Sequence, residues 1–248
     1  MSVKMGKTAA THGNGVRAQG AASAVAPSRL ANLPPSIRRI LIVGAGGFGR
    51  EVFLWAQDAW PGEVSKISGF LSAEIDHTAK CDCLLPVVGD PAAFEPAAGD
   101  ALLLAIGIPR VRRAVAESLL ARGAEFLTLV HPTSIVAPSA RIGTGSILCP
   151  YAIVSDSASL GRFALVNYHA SLGHDAAAGD YAVLSPYATL GGHAQIESDV
   201  FMGMHASVGP GKRVGARSKL SANSCALADA PADSIVFGVP GRSGPLVQ

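Results

Sequence analysis

The tripeptide Gly173-His174-Asp175 sets an imidazole beside a carboxylate. That pairing suits general-base chemistry, because histidine titrates near neutrality and a neighbouring carboxylate orients the ring. Taken alone, an outward histidine also reads as a solvated surface group. A second constellation is Gly44-Ala45-Gly46-Gly47-Phe48-Gly49, a G-x-G-x-x-G run with the apolar stretch Ile40-Leu41-Ile42-Val43 before it and a helical pattern after it. Glycines let the backbone approach an anion, and the N-terminus of a helix favours phosphate. The same glycines could instead serve only to pack a tight strand-helix turn. A dinucleotide cofactor fits poorly, because the unit is too short for a second mononucleotide half. Glu74 and Asp76 also lie beyond the usual position of a ribose partner. A nucleotide-diphosphate substrate fits better. Cys81, Cys83, Cys149 and Cys225 are scattered and form no zinc framework. They read as reduced cytosolic thiols.

These groups need a scaffold, and the sequence supplies one from Val136 to Leu220. An aliphatic residue, once replaced by Ala178, recurs every six positions without a slip. Four places later the residue is usually small, as at Ala140, Ala152, Ala158, Ala164 and Ala170, and a glycine often follows the aliphatic one. So short a period excludes a two-helix solenoid, and period-two alternation would not hold this phase. Each hexad reads as a short strand and a corner, with glycine and Asn/Asp-type residues tolerating the corner dihedrals. Three hexads make a triangular coil of eighteen residues, and coils stack at roughly 4.8 Å, the spacing of parallel strands. The expected fold is a left-handed parallel β-helix of hexapeptide repeats, and columns can be read at intervals of eighteen. His174 then lies under Gly192, and Asp175 under His193. Tyr151, His169, Tyr187, His205 and Asn223 form another column, for subunit packing or substrate contact.

Upstream, residues 37–130 read as a Rossmann-like α/β unit. Expected strands are Ile40–Val43, Ile67–Leu71, Val87–Gly89, Ala101–Ile106 and Phe126–Val130. A helix follows the glycine loop to about Ala59, and a second covers Val111–Ala121 with Arg112, Arg113, Glu117 and Arg122 outside. Residues 1–36 hold no acidic group and no apolar periodicity, and are expected to form a disordered tail. After Leu220 the repeat decays. The 248 residues carry a net charge of +2 and are 49% hydrophobic, which gives no reason to expect nucleic acid or membrane as partner.

In their order along the chain, Ile42-Val43-Gly44-Ala45-Gly46-Gly47-Phe48-Gly49-Arg50-Glu51, Ala105-Ile106-Gly107, Val166-Asn167, Gly173-His174-Asp175 and Gly238-Val239-Pro240-Gly241 resemble a bacterial family. It is the hexapeptide-repeat sugar acetyltransferases: sialic-acid O-acetyltransferases and the N-acetyltransferases of nucleotide-linked 4-amino-sugars. The resemblance covers about residues 38 to 242. It implies acetyl-CoA as donor, a homotrimer with sites between subunits, and His174 as catalytic base; no metal is expected, and the location is read as cytoplasmic. Asp175 is then its orienting partner. Gly192, Ala222, Lys212 and Arg242 are candidates for the coenzyme. Gly44, Gly46, Gly47, Gly49, Glu74, Gly107 and Asn167 are candidates for a nucleotide-sugar or sugar acceptor. The chain departs from the family at Ser72-Ala73-Glu74, where relatives carry paired acidic residues, and at Pro240-Gly241-Arg242 in place of Pro-Ala-Lys. Val183 stands where relatives can carry a second histidine. No cysteine or serine lies beside a base, so direct transfer within a ternary complex is expected. The expected organisation is a tail at 1–36, a nucleotide-sugar-binding domain at 37–130 and an acetyltransferase β-helix at 131–248. A non-catalytic hexapeptide scaffold and a nucleotide-sugar oxidoreductase are the readings from other classes.

Overall fold

The computed structural model describes residues 32–73 and 85–246, together with the backbone of Ala24–Val25. Most of the expected tail, and Glu74, Asp76, Cys81 and Cys83, lie outside the described residues. Ala24–Val25 forms a short strand antiparallel to Arg141–Gly143.

The N-terminal part is a four-stranded parallel sheet ordered Val87–Gly89, Ile67–Leu71, Arg39–Val43, Asp100–Leu104. Arg39–Val43 sits between Ile67–Leu71 and Asp100–Leu104, which follow it in the chain and lie on opposite sides of it in the sheet. Its carboxyl end is therefore the switch point at which such sheets open a crevice. Helix α1 (Gly47–Ala59) leaves from there and buries Val52, Trp55 and Ala56 against the sheet. Helix α2 (Pro109–Ala121) follows the strand Asp100–Leu104 and buries Ala116 and Leu119.

The expected strand over 126–130 divides in two. Phe126 bridges to Leu102 in the α/β sheet, whereas Leu129–Val130 pairs with Ile147–Leu148. Val130 is already in the hexad phase, so the chain passes from sheet to β-helix within three residues.

From there three parallel sheets wrap around one core. The first face runs from Ile135–Val136 to Cys225–Ala226, the second from Arg141–Gly143 to Arg213–Val214, and the third from Leu129–Val130 to Lys219–Leu220. Partners are offset by eighteen residues on every face, as at Leu172↔Leu190 and Leu160↔Ala178. The inward aliphatic and small positions form one core of fully buried side chains. The repeat outlasts Leu220 by one hexad, because Cys225–Ala226 pairs with Ser207–Val208. Beyond it the offset falls to sixteen, with Val214↔Ala230 and Leu220↔Val236. That slip of two residues removes the period from the sequence while the coil continues.

The roles expected of the glycines are redistributed. The corner position is left-handed from Gly145 to Asn223, but its occupants are mostly not glycine: Tyr151, His169, Asp175, Tyr187 and His193 have φ between 57° and 62°. The glycine after the aliphatic residue answers a different need. A Cβ on Gly173 would lie 2.9 Å from the nitrogen of Gly192, so successive coils could not approach.

The third face is the one covered. Its outward residues Ile147, Leu165 and Val183 are buried in a core shared with Ile40, Ile42 and Trp55. At the adjoining corner, Phe163 and Tyr181 stack at 5.1 Å and pack with Phe126, Leu102 and Leu119. Arg112, expected outside, is wholly buried here. Its guanidinium donates to the carbonyls of Phe163 at 2.6 Å, Leu104 at 2.7 Å and Ile106 at 2.9 Å. Burial pulls its pKa down to about 9, still above neutrality, so a cation ties the two parts together. Three further charges expected on the outside are engaged too. Arg113 pairs with Asp199 at 2.6 Å and lies over the Tyr181 ring, Glu117 accepts from the Tyr181 hydroxyl, and Arg122 donates to Pro91, Ala92 and Phe94.

Candidate active site

His174 and Asp175 occupy the corner between the first and second faces, opposite the face that the α/β part covers. Hexad geometry puts them there. Leu172 points inward, Gly173 lets the next coil approach, and Asp175 takes the left-handed corner with φ 57°. Both side chains are therefore turned into solvent, His174 with 61% and Asp175 with 45% of its side chain exposed. The ring Nδ1 of His174 lies 2.9 Å from Asp175 Oδ2. Such a contact selects the tautomer with the proton on Nδ1 and leaves Nε2 as the basic nitrogen.

Nε2 faces Gly192 on the next coil. A Cβ there would come within 2.4 Å of it, so only glycine leaves the imidazole its place. The backbone N–H of Gly192 has no acceptor among the described residues, which makes it available to a developing oxyanion. His193 follows at the left-handed corner, its N–H donating to the His174 carbonyl at 2.9 Å. The His193 ring meets the His174 ring edge-on at 5.0 Å, and its Nε2 is 3.7 Å from Asp175 Oδ2. The column at 175 and 193 was legible by counting eighteen, but the sharing of one carboxylate by two imidazoles was not.

Lys212 belongs to the same corner one coil above His193, at a position that small residues hold in the coils below. Ala222 is exposed at the corner between the third and first faces, and Arg242 is exposed in a terminal hairpin with Phe237 as its partner. Asn167 also lies at the third-to-first corner, separated from His174 by the strand Ser171–Leu172, and its Oδ1 accepts from the Tyr168 N–H at 2.8 Å. The structure thus brings His174, Asp175, Gly192 and Lys212 to one corner and leaves Ala222, Asn167 and Arg242 apart from it.

The aromatic column stacks as the count of eighteen implies. Rings of Tyr151, His169, Tyr187 and His205 lie nearly parallel at 5.0, 4.8 and 4.7 Å. A left-handed corner costs a non-glycine residue about 1–2 kcal/mol. Ring stacking contributes about 0.5–1.5 kcal/mol per pair and offsets much of that.

The glycine loop splits into two pairs. Gly44 has φ 109°, and a Cβ on it would lie 2.6 Å from the Ala105 carbonyl oxygen, while a Cβ on Gly49 would lie 2.0 Å from that of Gly44. These two pack the strand, the helix and the Ala105–Gly107 loop. Gly46, which starts α1, and Gly107 would meet nothing within 4 Å, and Gly47 only the tip of Arg50. Those three line open space at the switch point. Cys149 offers no competing nucleophile, because it is buried and burial pushes its thiol pKa well up.

The profile of the PglD N-terminal domain matches residues 39–119. No curated protein sequence matches the chain. PerB from Caulobacter crescentus, solved with CoA and GDP-perosamine, is 25% identical, with a TM-score of 0.73 over 83% of this chain and 97% of that one. The acetyltransferase domain of PglB from Neisseria gonorrhoeae, solved with acetyl coenzyme A, is 27% identical with a TM-score of 0.74 over 83% and 98%. WeeI from Acinetobacter baumannii is 25% identical with a TM-score of 0.74 over 83% and 99%.

Proposed function

We propose that this chain, a hexapeptide-repeat sugar acetyltransferase related to PerB, PglB and WeeI, moves the acetyl group of acetyl-CoA to the 4-amino group of a nucleotide-linked amino-dideoxysugar. The observation that carries this reading is the His174–Asp175 pair held over Gly192 on an exposed corner. It occurs in a chain whose likeness to acetyltransferases solved with CoA or acetyl coenzyme A spans both of its parts.

The acceptor amine attacks the thioester carbonyl, and His174 Nε2 takes the amine proton as the C–N bond forms. The tetrahedral oxyanion is met by a fixed N–H, for which Gly192 is positioned. Collapse breaks the C–S bond, and the proton leaves with the coenzyme sulfur. Asp175 holds the imidazole through Nδ1 and supports its cationic form. Lys212 at the same corner, with Ala222 and Arg242 further up, would meet the coenzyme, the two cations its phosphates. The open glycines Gly46, Gly47 and Gly107 would cradle the nucleotide diphosphate, with Gly44 and Gly49 fixing the loop's shape. Glu74 and Asn167 are the remaining acceptor contacts we assign.

The crevice belongs to the part that packs on the third face, and His174 stands at the corner opposite. One acceptor reaching both must therefore be held between chains, which supports a homotrimer with shared sites. No described helix is long and apolar enough to cross a membrane, and we place the enzyme in the cytoplasm beside its nucleotide-sugar supply. The test is acetyl-CoA consumption across UDP-, GDP- and dTDP-linked 4-amino-sugars and free sialic acid. Turnover of one 4-amino-sugar nucleotide is expected. Turnover of sialic acid alone would replace this reading with O-acetylation, and no turnover with any acceptor would favour a scaffold.

A further inference from the structure

We propose that His174, Asp175 and His193 form a reversible binding site for a transition-metal dication such as Zn²⁺, and that its occupation switches the enzyme off. The inhibitory half of the proposal rests on His174 being the base; the binding half does not. Each residue offers one ligand atom, and the three atoms lie within 4.8 Å of one another. Zinc with nitrogen and carboxylate ligands takes bonds near 2.0–2.1 Å in a tetrahedron, so its ligands stand about 3.4 Å apart. Asp175 Oδ2 lies 2.9 Å from His174 Nδ1 and 3.7 Å from His193 Nε2, on either side of that value. Small rotations of exposed side chains would equalise them, and no packing resists, because His193 is 66% exposed. The two rings meet edge-on at 89° and do not stack, which lets a nitrogen of each approach one point.

The backbone fixes the ends of the cluster. Asp175 and His193 hold successive left-handed corners one coil apart, and the His193 N–H is bonded to the His174 carbonyl. Two imidazoles and one carboxylate suit zinc, cobalt, nickel or copper and disfavour magnesium and calcium, which take oxygen ligands. Water would fill the fourth position. Binding through Nδ1 requires the tautomer with its proton on Nε2, where the basic lone pair was, and moves Asp175 onto the metal. His174 then keeps neither the tautomer nor the orientation that a base requires.

Cobalt(II) is the probe, because tetrahedral Co²⁺ absorbs visible light far more strongly than the octahedral aqua ion. The full chain, without an affinity tag, is titrated with Co²⁺, and bound Co²⁺ is then displaced by Zn²⁺. One intense, saturable signal per chain is expected. His193→Ala should weaken it by about 10–100-fold or more, and His205→Ala, at a different corner, should leave it intact. A weak octahedral spectrum, or equal signals in wild type and His193→Ala, would overturn the site. Zn²⁺ should also inhibit acetyl transfer over the same concentrations, with inhibition relieved in parallel by His193→Ala. A tetrahedral signal lost in His193→Ala but accompanied by undiminished transfer in zinc-loaded wild type would reject the switch and, with it, His174 as base.

Discussion

At the scale of residues, the corner chemistry makes separable demands. His174→Ala removes the base from an exposed position, so the fold should persist while kcat falls by about 10²–10⁴. Asp175→Asn should cost less, because the imidazole stays and loses only its orienting charge. A folded His174→Ala variant with full kcat would shift the base to another histidine. Gly192→Ala tests the same site from the opposite side. The new Cβ would collide with His174 Nε2, and a ring displaced by an ångström can lose about 10² in rate. Because the ring yields into solvent, stability should change by less than about 1 kcal/mol. Counting by eighteen places Gly192 and His193 over their partners from the sequence alone. It did not reveal that corner residues, and not the hexad glycines, carry the left-handed backbone. An aromatic or histidine residue at such a position runs against its local preference and is tolerated because the stacked coil fixes it.

At the scale of elements, the glycine loop and α2 separate packing from binding. Gly49→Ala should cost about 1–3 kcal/mol, since its Cβ meets backbone that cannot move aside. Gly46→Ala should change stability by no more than about 0.5 kcal/mol, yet raise the KM for the nucleotide-sugar while leaving that for acetyl-CoA unchanged. Equal effects on both substrates would assign Gly46 a packing role. On α2, Arg112→Met strands three carbonyls and should destabilise by about 3 kcal/mol or more in denaturant titration. Arg113→Ala breaks a partly exposed pair and should cost about 1 kcal/mol or less. The sequence hid this difference. Helical periodicity marks a charged residue as outward, yet Arg112 lies on the buried face of α2 with Ala116 and Leu119, where it reaches Leu104 and Ile106 on one side and Phe163 of the β-helix on the other. Strand and helix positions were otherwise legible, because apolar runs and glycines punctuate them. The boundary at 126–130 was not, because one apolar stretch serves two sheets.

At the scale of the whole molecule, the outward residues of the third face were a missed signal. Leu129, Ile147, Leu165, Val183 and Phe201 recur at eighteen, while the second face carries Arg141, Ser159, Gln195 and Arg213 at equivalent positions. Reading that column would have shown which side the α/β part covers. It would also have shown that His174 faces away from it. Assembly follows from this placement. Light scattering at micromolar concentration should report a trimer of 25.2 kDa chains, roughly 75 kDa. A monomer with full activity would require the crevice and His174 to meet within one chain.

The offset of eighteen, kept from Leu129 to Ala226, also governs how such a chain can change length. Insertion of one whole coil lengthens the prism and returns every later residue to its own face. Insertion of a single hexad keeps the core pattern equally well but turns everything beyond it by a third of a revolution. Placed between His174 and Gly192, that hexad would set the glycine over the wrong corner and carry Val183 and Phe201 off the covered third face. The hexad is thus the unit of folding and the coil the unit of inheritance, so length variants that keep the site should differ in steps of eighteen.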